Sequence, residues 1–227
     1  VLGLYIGIIL LLNIPYVQHR MSVLVAKELS TVLGSELTVG RINIGLLNRI
    51  IIDDLVLNDQ SGKELLKIGR LSAKFEILPL FSGKISIGNV QLFSFNANLE
   101  RPTPQASTNF QFVLDAFASK DTVKKKSNLD LRINSLLIRR GKVSYDVLSA
   151  ESTPGKFNPQ HIRLSNILAN ISLKALQNDS VNAAIKRMSV EEEHSGFELK
   201  KLSLKIIAND RKMRIENFAI DLPNTSL

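Results

Sequence analysis

The sequence predicts a mainly β protein: an N-terminal transmembrane helix and a short amphipathic helix, then a curved antiparallel β-sheet with one intervening short helix. Three observations predict it. Residues 1–17 are almost wholly apolar. Residues 18–34 carry apolar side chains at helical spacing. Nearly everything beyond Gly34 alternates apolar and polar with a period of two.

Between Val1 and Val17 the only strongly polar side chain is Asn13. At 1.5 Å per residue such a run covers roughly 25 Å, against a hydrocarbon core of about 30 Å. The expectation is therefore an anchor over 1–17 whose first turns precede the sequence, held by Leu2, Leu4, Ile6, Ile8, Ile9, Leu10, Leu11 and Leu12. Tyr5 and Tyr16 suit the two interfaces, and Pro15 is tolerated near the exit. A cleaved signal peptide would end in a small-residue site, but Gln18-His19-Arg20-Met21 follows, which favours a retained anchor. Over 18–34, Met21, Leu24, Val25, Leu29, Val32 and Leu33 fall on one helical face, and Gly34 stands where a C-cap glycine belongs.

A first sheet section is expected over 36–100. Leu71, Ala73, Phe75 and Ile77 point one way, with Ser72, Lys74 and Glu76 opposite. Phe93, Phe95, Ala97 and Leu99 repeat the pattern. Pro102 and Pro104 end that section. Thr108 or Asn109 caps a short helix carrying Phe110, Val113, Leu114 and Phe117, and a polar linker runs to residue 128. A second section, cut off at its C-terminal end, is expected over 129–227, with runs such as Ile167-Ala169-Ile171-Leu173 and Leu202-Leu204-Ile206-Ala208. Turns are expected at 59–62, Phe81-Ser82-Gly83, Arg140-Gly141, Ser195-Gly196 and Asn209-Asp210.

One pattern recurs inside the strands: an apolar residue, two polar or small ones, then apolar–any–apolar. It is found at Ile52–Leu57, Ile68–Ala73, Ile87–Leu92, Ile133–Ile138, Leu164–Ala169, Leu199–Leu204 and Ile215–Ile220. Each copy shifts the alternation by one residue, so a β-bulge must absorb the extra residue, and repeated bulges curve a sheet.

Little here resembles catalytic machinery. The chain has no cysteine, which excludes disulfides, iron–sulfur clusters and Cys-ligated zinc. His19, His161 and His194 lack a second ligand at metal spacing. Glu191-Glu192-Glu193-His194 reads as a solvated hairpin tip. Asp53-Asp54 on a strand should point to opposite faces, which is wrong for an acid/base pair. The net charge is +8, but only Lys124-Lys125-Lys126 forms a tight basic run, and no basic–aromatic interleaving suggests nucleic-acid binding. The expectation is a non-enzyme with no cofactor, no metal and no nucleic-acid partner.

The order of parts resembles the start of the AsmA-like superfamily, most closely its TamB-type members. The resemblance rests on the anchor, the helix after it and Val39-Gly40-Arg41-Ile42-Asn43-Ile44. Asp54-Leu55-Val56-Leu57-Asn58-Asp59 and Leu78-Pro79-Leu80-Phe81-Ser82-Gly83-Lys84-Ile85 follow. Phe110–Phe117 and Arg140-Gly141-Lys142-Val143-Ser144-Tyr145 continue it patchily over nearly the whole chain. The asparagine- and lysine-rich composition is similar to that of Bacteroidota members.

The resemblance implies that the sheet is an open groove, long and taco-like with an apolar inner face, anchored by a single pass in the bacterial inner membrane with its bulk in the periplasm. It implies conduction of phospholipids between the two membranes. Alternatively it implies outer-membrane protein assembly or secretion with a barrel partner of the TamA/BamA type. The lining then comes from Ile42, Ile44, Leu55, Leu57, Leu71, Phe75, Ile77, Ile85, Ile87, Phe93 and Phe95 in the first section. In the second it comes from Leu136, Ile138, Val143, Tyr145, Ile167, Ile171, Leu173, Leu204, Ile206, Phe218 and Ile220. An ordinary closed core is the competing expectation, since alternating strands also build sandwiches and barrels.

Overall fold

The structure, a computed structural model, describes residues 2–45, 48–75, 85–117, 129–130, 134–177, 180–208, 212–223 and 225–226. Two helices come first, α1 (Leu2–Leu12) and α2 (Pro15–Leu33). The single helix expected over 1–17 is broken. Ile14 is extended, at φ −66° and ψ 131°, as a residue before proline prefers, and Pro15 opens α2. α1 has 11 residues, and among the described residues no helix is long and apolar enough to cross a membrane. Gly34 closes α2 at φ 63°, donating its N–H to the Ser30 carbonyl.

One mixed sheet follows. Its long strands are β1 (Leu37–Gly45), β2 (Arg49–Asn58), β3 (Glu64–Phe75), β4 (Ile85–Arg101), β6 (Ser135–Val147), β7 (His161–Gln177), β8 (Ser180–Glu192), β9 (Phe197–Ala208) and β10 (Met213–Leu222). Two-residue strands β5 (Leu129–Asp130) and β11 (Thr225–Ser226) join β4 and β10. The order follows the chain, and every long-strand pairing is antiparallel except β4–β6, which is parallel. That exception corrects the expected all-antiparallel sheet. After Arg101 the chain crosses back through α3 (Gln111–Phe117), so β6 starts at the same end as β4. The turns expected at 81–83 and 209–210 lie outside the described residues. Arg140-Gly141 is not a turn: it sits inside β6.

Bulges explain why. Asp54, Ser94, Arg140, Asn166 and Asn217 adopt φ of 51–55° within their strands. Such a residue turns two consecutive side chains to one face, so the apolar residues on either side of the pair keep to the other. Asp54, Asn166 and Asn217 are each the third residue of the recurring pattern. The first four line up across the sheet. Register places Asp54 opposite Gly40 on β1 and Gly69 on β3, Gly69 opposite Ser94, and Ser94 beside Arg140. The pairing register from β1 to β3 is the same on both sides of Asp54. The glycines make this possible: a Cβ at Gly40 would stand 3.0 Å from that of Asp54.

Two apolar clusters result. In the first, Leu33 of α2 meets Leu37, Leu57 and Leu65, with Ala26, Leu29, Phe110, Phe112, Val113 and Ala116 around them, so α2 and α3 cover the β1–β4 end of the apolar face. In the second, Ile167, Val190 and Leu199 gather Phe95, Ile138, Val143, Leu164, Leu202, Ile220 and Leu222; every member comes from strands.

α2 buries only part of the side expected. Gln18, Ser22 and Leu33 are buried, while Leu24 is 60% and Val32 58% exposed; of the expected apolar face, Leu29 and Leu33 pack inward and Leu24 and Val32 do not. The cause is the edge strand. Nineteen helical residues cover roughly 28 Å, matching the ~30 Å of β1. Along that length polar side chains meet the strand's edge. The Ser30 hydroxyl accepts from Leu37 N–H (2.9 Å), the Asn13 amide donates to the Ile44 carbonyl (2.8 Å), and the Gln18 amide donates to Asn43 Oδ1 (2.6 Å).

Candidate functional site

The apolar face is built in rows. Ile42, Ile52, Leu71, Leu92, Ile138, Ala169, Met188, Leu202 and Ile220 pair successively across all nine long strands. A second row runs Ile44, Ile50, Ala73, Val90, Leu136, Ile171, Ile185 and Leu204 over eight of them. At ~4.8 Å between strands, nine strands extend the first row over about 38 Å along the sheet. Between these rows the opposite face carries Asn43, Ile51, Ser72, Gln91, Leu137, Asn170 and Arg187, a more polar series.

Most of the residues expected to line a groove lie on the apolar face. Leu55 and Leu57 flank the line of bulges from one side, and Leu57 sits under α2. Val143 and Tyr145 pair with Ala97 and Leu99; Arg101 stacks on the Tyr145 ring, 5.2 Å from its centre, and donates to its hydroxyl. Ile167 belongs to the second cluster. Leu173 and Ile206 both pair with Ala183. Phe218 is 54% exposed. Ile77 lies outside the described residues, and of Phe75, Ile85 and Ile87 only the backbone is described.

Phe93 is a correction. It does not share a face with Phe95. It pairs with Arg70, which pairs with Asp53, and Arg139 lies over its ring at 6.0 Å. Arg70 Nε donates to Asp53 at 2.6 Å, so Phe93 stands in the charged row of the opposite face. The bulge at Ser94 separates the two phenylalanines. The same device corrects Asp53-Asp54: both carboxylates face the side of Arg70 and line one shallow hollow with Gly40, Arg41 and Gly69. Sequence reasoning missed Ile50, Ile52, Ile68, Val90, Leu92 and Met188. Aligning the recurring pattern strand against strand would have found them.

Ionisable clusters fasten loops. His161 Nδ1 meets Asp146 Oδ1 at 2.9 Å and Nε2 meets the Ala150 carbonyl at 3.0 Å, while Arg163 holds the other Asp146 oxygen at 2.7 Å. The hydrogen bond to Asp146 raises the His161 pKa above its ordinary value. Glu192 is not solvated, contrary to expectation. Its side chain is 2% exposed and closes the β8–β9 turn, accepting from Ser195 N–H (2.7 Å) and the Ser195 hydroxyl (2.6 Å). Burial alone would raise its pKa, but these bonds, with Arg163 and His194 N–H, bring it down to about 2. Among the described residues no group of three or more carboxylates and histidines is placed to hold a metal ion.

Compared with models of known protein families and with curated proteins, the chain matches none.

Proposed function

We propose that the apolar face carries the acyl chains of phospholipids, in a protein held at the bacterial inner membrane and bridging the periplasm towards the outer membrane. The observation that carries this reading is the row from Ile42 to Ile220, apolar on every long strand. It gains support from the second cluster. Ile167, Val190 and Leu199 are each under 10% exposed although their neighbours all come from the same sheet. Side chains of a single layer shelter one another in that way when the layer is concave towards them. The asymmetry of the two faces suits a lipid, whose tails need the apolar side while its headgroup stays wet.

An acyl tail in water costs about 0.8 kcal/mol per CH₂, so sixteen carbons face roughly 12 kcal/mol on leaving a bilayer. A continuous apolar track lowers that barrier without any polar specificity. Direction comes from a lipid gradient or an energised partner.

The test is a photo-crosslinking amino acid placed in cells at Phe95 and, separately, at Phe93. Phospholipid is expected on the probe at 95 and not at 93. Capture of protein alone at both positions ends the reading.

A second reading has its own observation. Beyond the two-residue pairing with β11, no described strand pairs with the outer edge of β10, and Met213, Ile215 and Phe218 there are 69%, 50% and 54% exposed. Such an edge can take an extended client strand by backbone pairing, as outer-membrane protein assembly with a barrel partner would require. Crosslinks from position 215 to nascent barrel proteins support it; their absence while barrels are being assembled counts against it.

A further inference from the structure

The apolar side chains that α2 leaves outside its contact with the sheet ask for a second non-aqueous environment. A helix on a soluble sheet normally buries its apolar side. α2 buries Gln18, Ser22 and Leu33 and packs Ala26 and Leu29 against the first cluster, yet it also turns Tyr16, Val23, Leu24 and Val32 outward, at 65%, 53%, 60% and 58% exposure. On that outward side Arg20 donates to the Tyr16 hydroxyl at 3.1 Å and lies over its ring. Lys27 and His19 are exposed beside it, and Glu28 is the only exposed acid of the helix. α1, which leads into α2, also exposes apolar side chains, with Ile6, Leu10 and Leu11 at 45%, 66% and 57% exposure.

We propose that the outward side of α2, together with the exposed apolar side chains of α1, is a membrane-interfacial surface. It lies at the boundary of headgroups and acyl chains in a bilayer containing anionic phospholipid, and it sets the β1 border of the sheet against that bilayer.

Three features select a bilayer as the occupant. The apolar residues are interspersed with cations, which suits anionic headgroups over apolar chains. Tyr16 with its arginine has the amphipathic form favoured at headgroup depth. The neighbouring α1 is apolar along its whole length. The inference deepens the conduit reading and rests on it for its purpose, because it brings the first strand of the track to the source of lipid.

The chain has no tryptophan, so a single one reports without background. Leu24→Trp is compared with Phe157→Trp, whose site in the 148–160 loop is 59% exposed, each in the full chain with circular dichroism to verify folding. Vesicles are equal parts phosphatidylglycerol and phosphatidylcholine, or phosphatidylcholine alone. The expected result is a blue shift at position 24 on the anionic vesicles, quenched by brominated acyl chains, with no change at position 157. Arg20→Glu with Lys27→Glu should weaken that binding at least about tenfold, since each basic residue near an anionic surface contributes roughly 1 kcal/mol.

Three results overturn the proposal. One is no vesicle binding by the folded protein. Another is vesicle binding that leaves position 24 in water, which would place the contact in α1 alone. The third is a blue shift that grows with protein concentration in the absence of lipid, with dimers in ultracentrifugation, which would make a second copy the occupant. None of these touches lipid capture at Phe95, so this inference and the conduit reading fail separately.

Discussion

At β1–β4 the apolar face lies under α2 and α3; at β6–β10 no described element covers it. Both regions use the same strand pattern and the same bulges, and their rows are continuous. What differs is the second layer. Leu65 reaches 0% exposure beneath the helices, whereas Leu204 and Ile171 on the open half stay partly exposed. The comparison teaches that strand alternation specifies a face but not whether that face is covered.

The largest expected effect breaks the covered half. Leu65→Ala should cost about 2–5 kcal/mol in denaturant unfolding, the range for an enclosed large-to-small change. Leu204→Ala on the open half should cost well under half of that. Equal losses would mean the two halves are packed alike.

Next comes the line of bulges. A Cβ at Gly141 would fall 2.2 Å from the Phe95 ring. Gly141→Ala must therefore push that ring out of the second cluster, at an expected cost of about 1–3 kcal/mol.

Two titrations separate the turns that frame the open half. Glu192 is held at about 2 against an ordinary 4.5. Its contribution is present above 4.5 and is lost as pH falls from there towards 2, so Glu192→Gln should flatten acid destabilisation in that window. His161 has the opposite sign. Its pKa is raised above 6.5 by Asp146, so its contribution is full below 6.5 and fades as pH rises through the folded value. His161→Gln should remove that alkaline slope from stability curves.

The smallest effect is expected at Phe93→Ser, on the charged face, where unfolding free energy should move by no more than about 1 kcal/mol. A loss matching that of Phe95→Ser would put both rings on one face and undo the bulge at Ser94.

Much of this was legible in the sequence, for local reasons. Alternation marked the strands, Gly34 marked the end of α2, and Ile52-Asp53-Asp54-Leu55 announced a bulge because two polar residues in succession cannot both leave an apolar face otherwise. Leu92-Phe93-Ser94-Phe95 hid the same bulge, since Phe93 made the pair look apolar. The parallel step from β4 to β6 was not legible: alternation carries no strand direction, and the crossing segment was read only as a helix and linker. The orientation of α2 was read only in part because its partner is a strand edge. Polar groups there, the Asn43 side chain and the Leu37 N–H, reward Gln18 and Ser30 over Leu24, and no helical periodicity records what a helix is packed against.

The sealing of β1 by α2 makes the two borders of this sheet unequal. Ser30 of α2 holds the Leu37 N–H at one end of β1 and Asn13, just before α2, holds the Ile44 carbonyl at the other, so recruiting a strand there would first require peeling this segment away. Among the described residues nothing comparable covers the outer edge of β10 over residues 213–220. An incoming strand therefore meets unequal resistance at the two borders, like a tape riveted along one side, and one added along β10 would carry the apolar rows onward by a further strand.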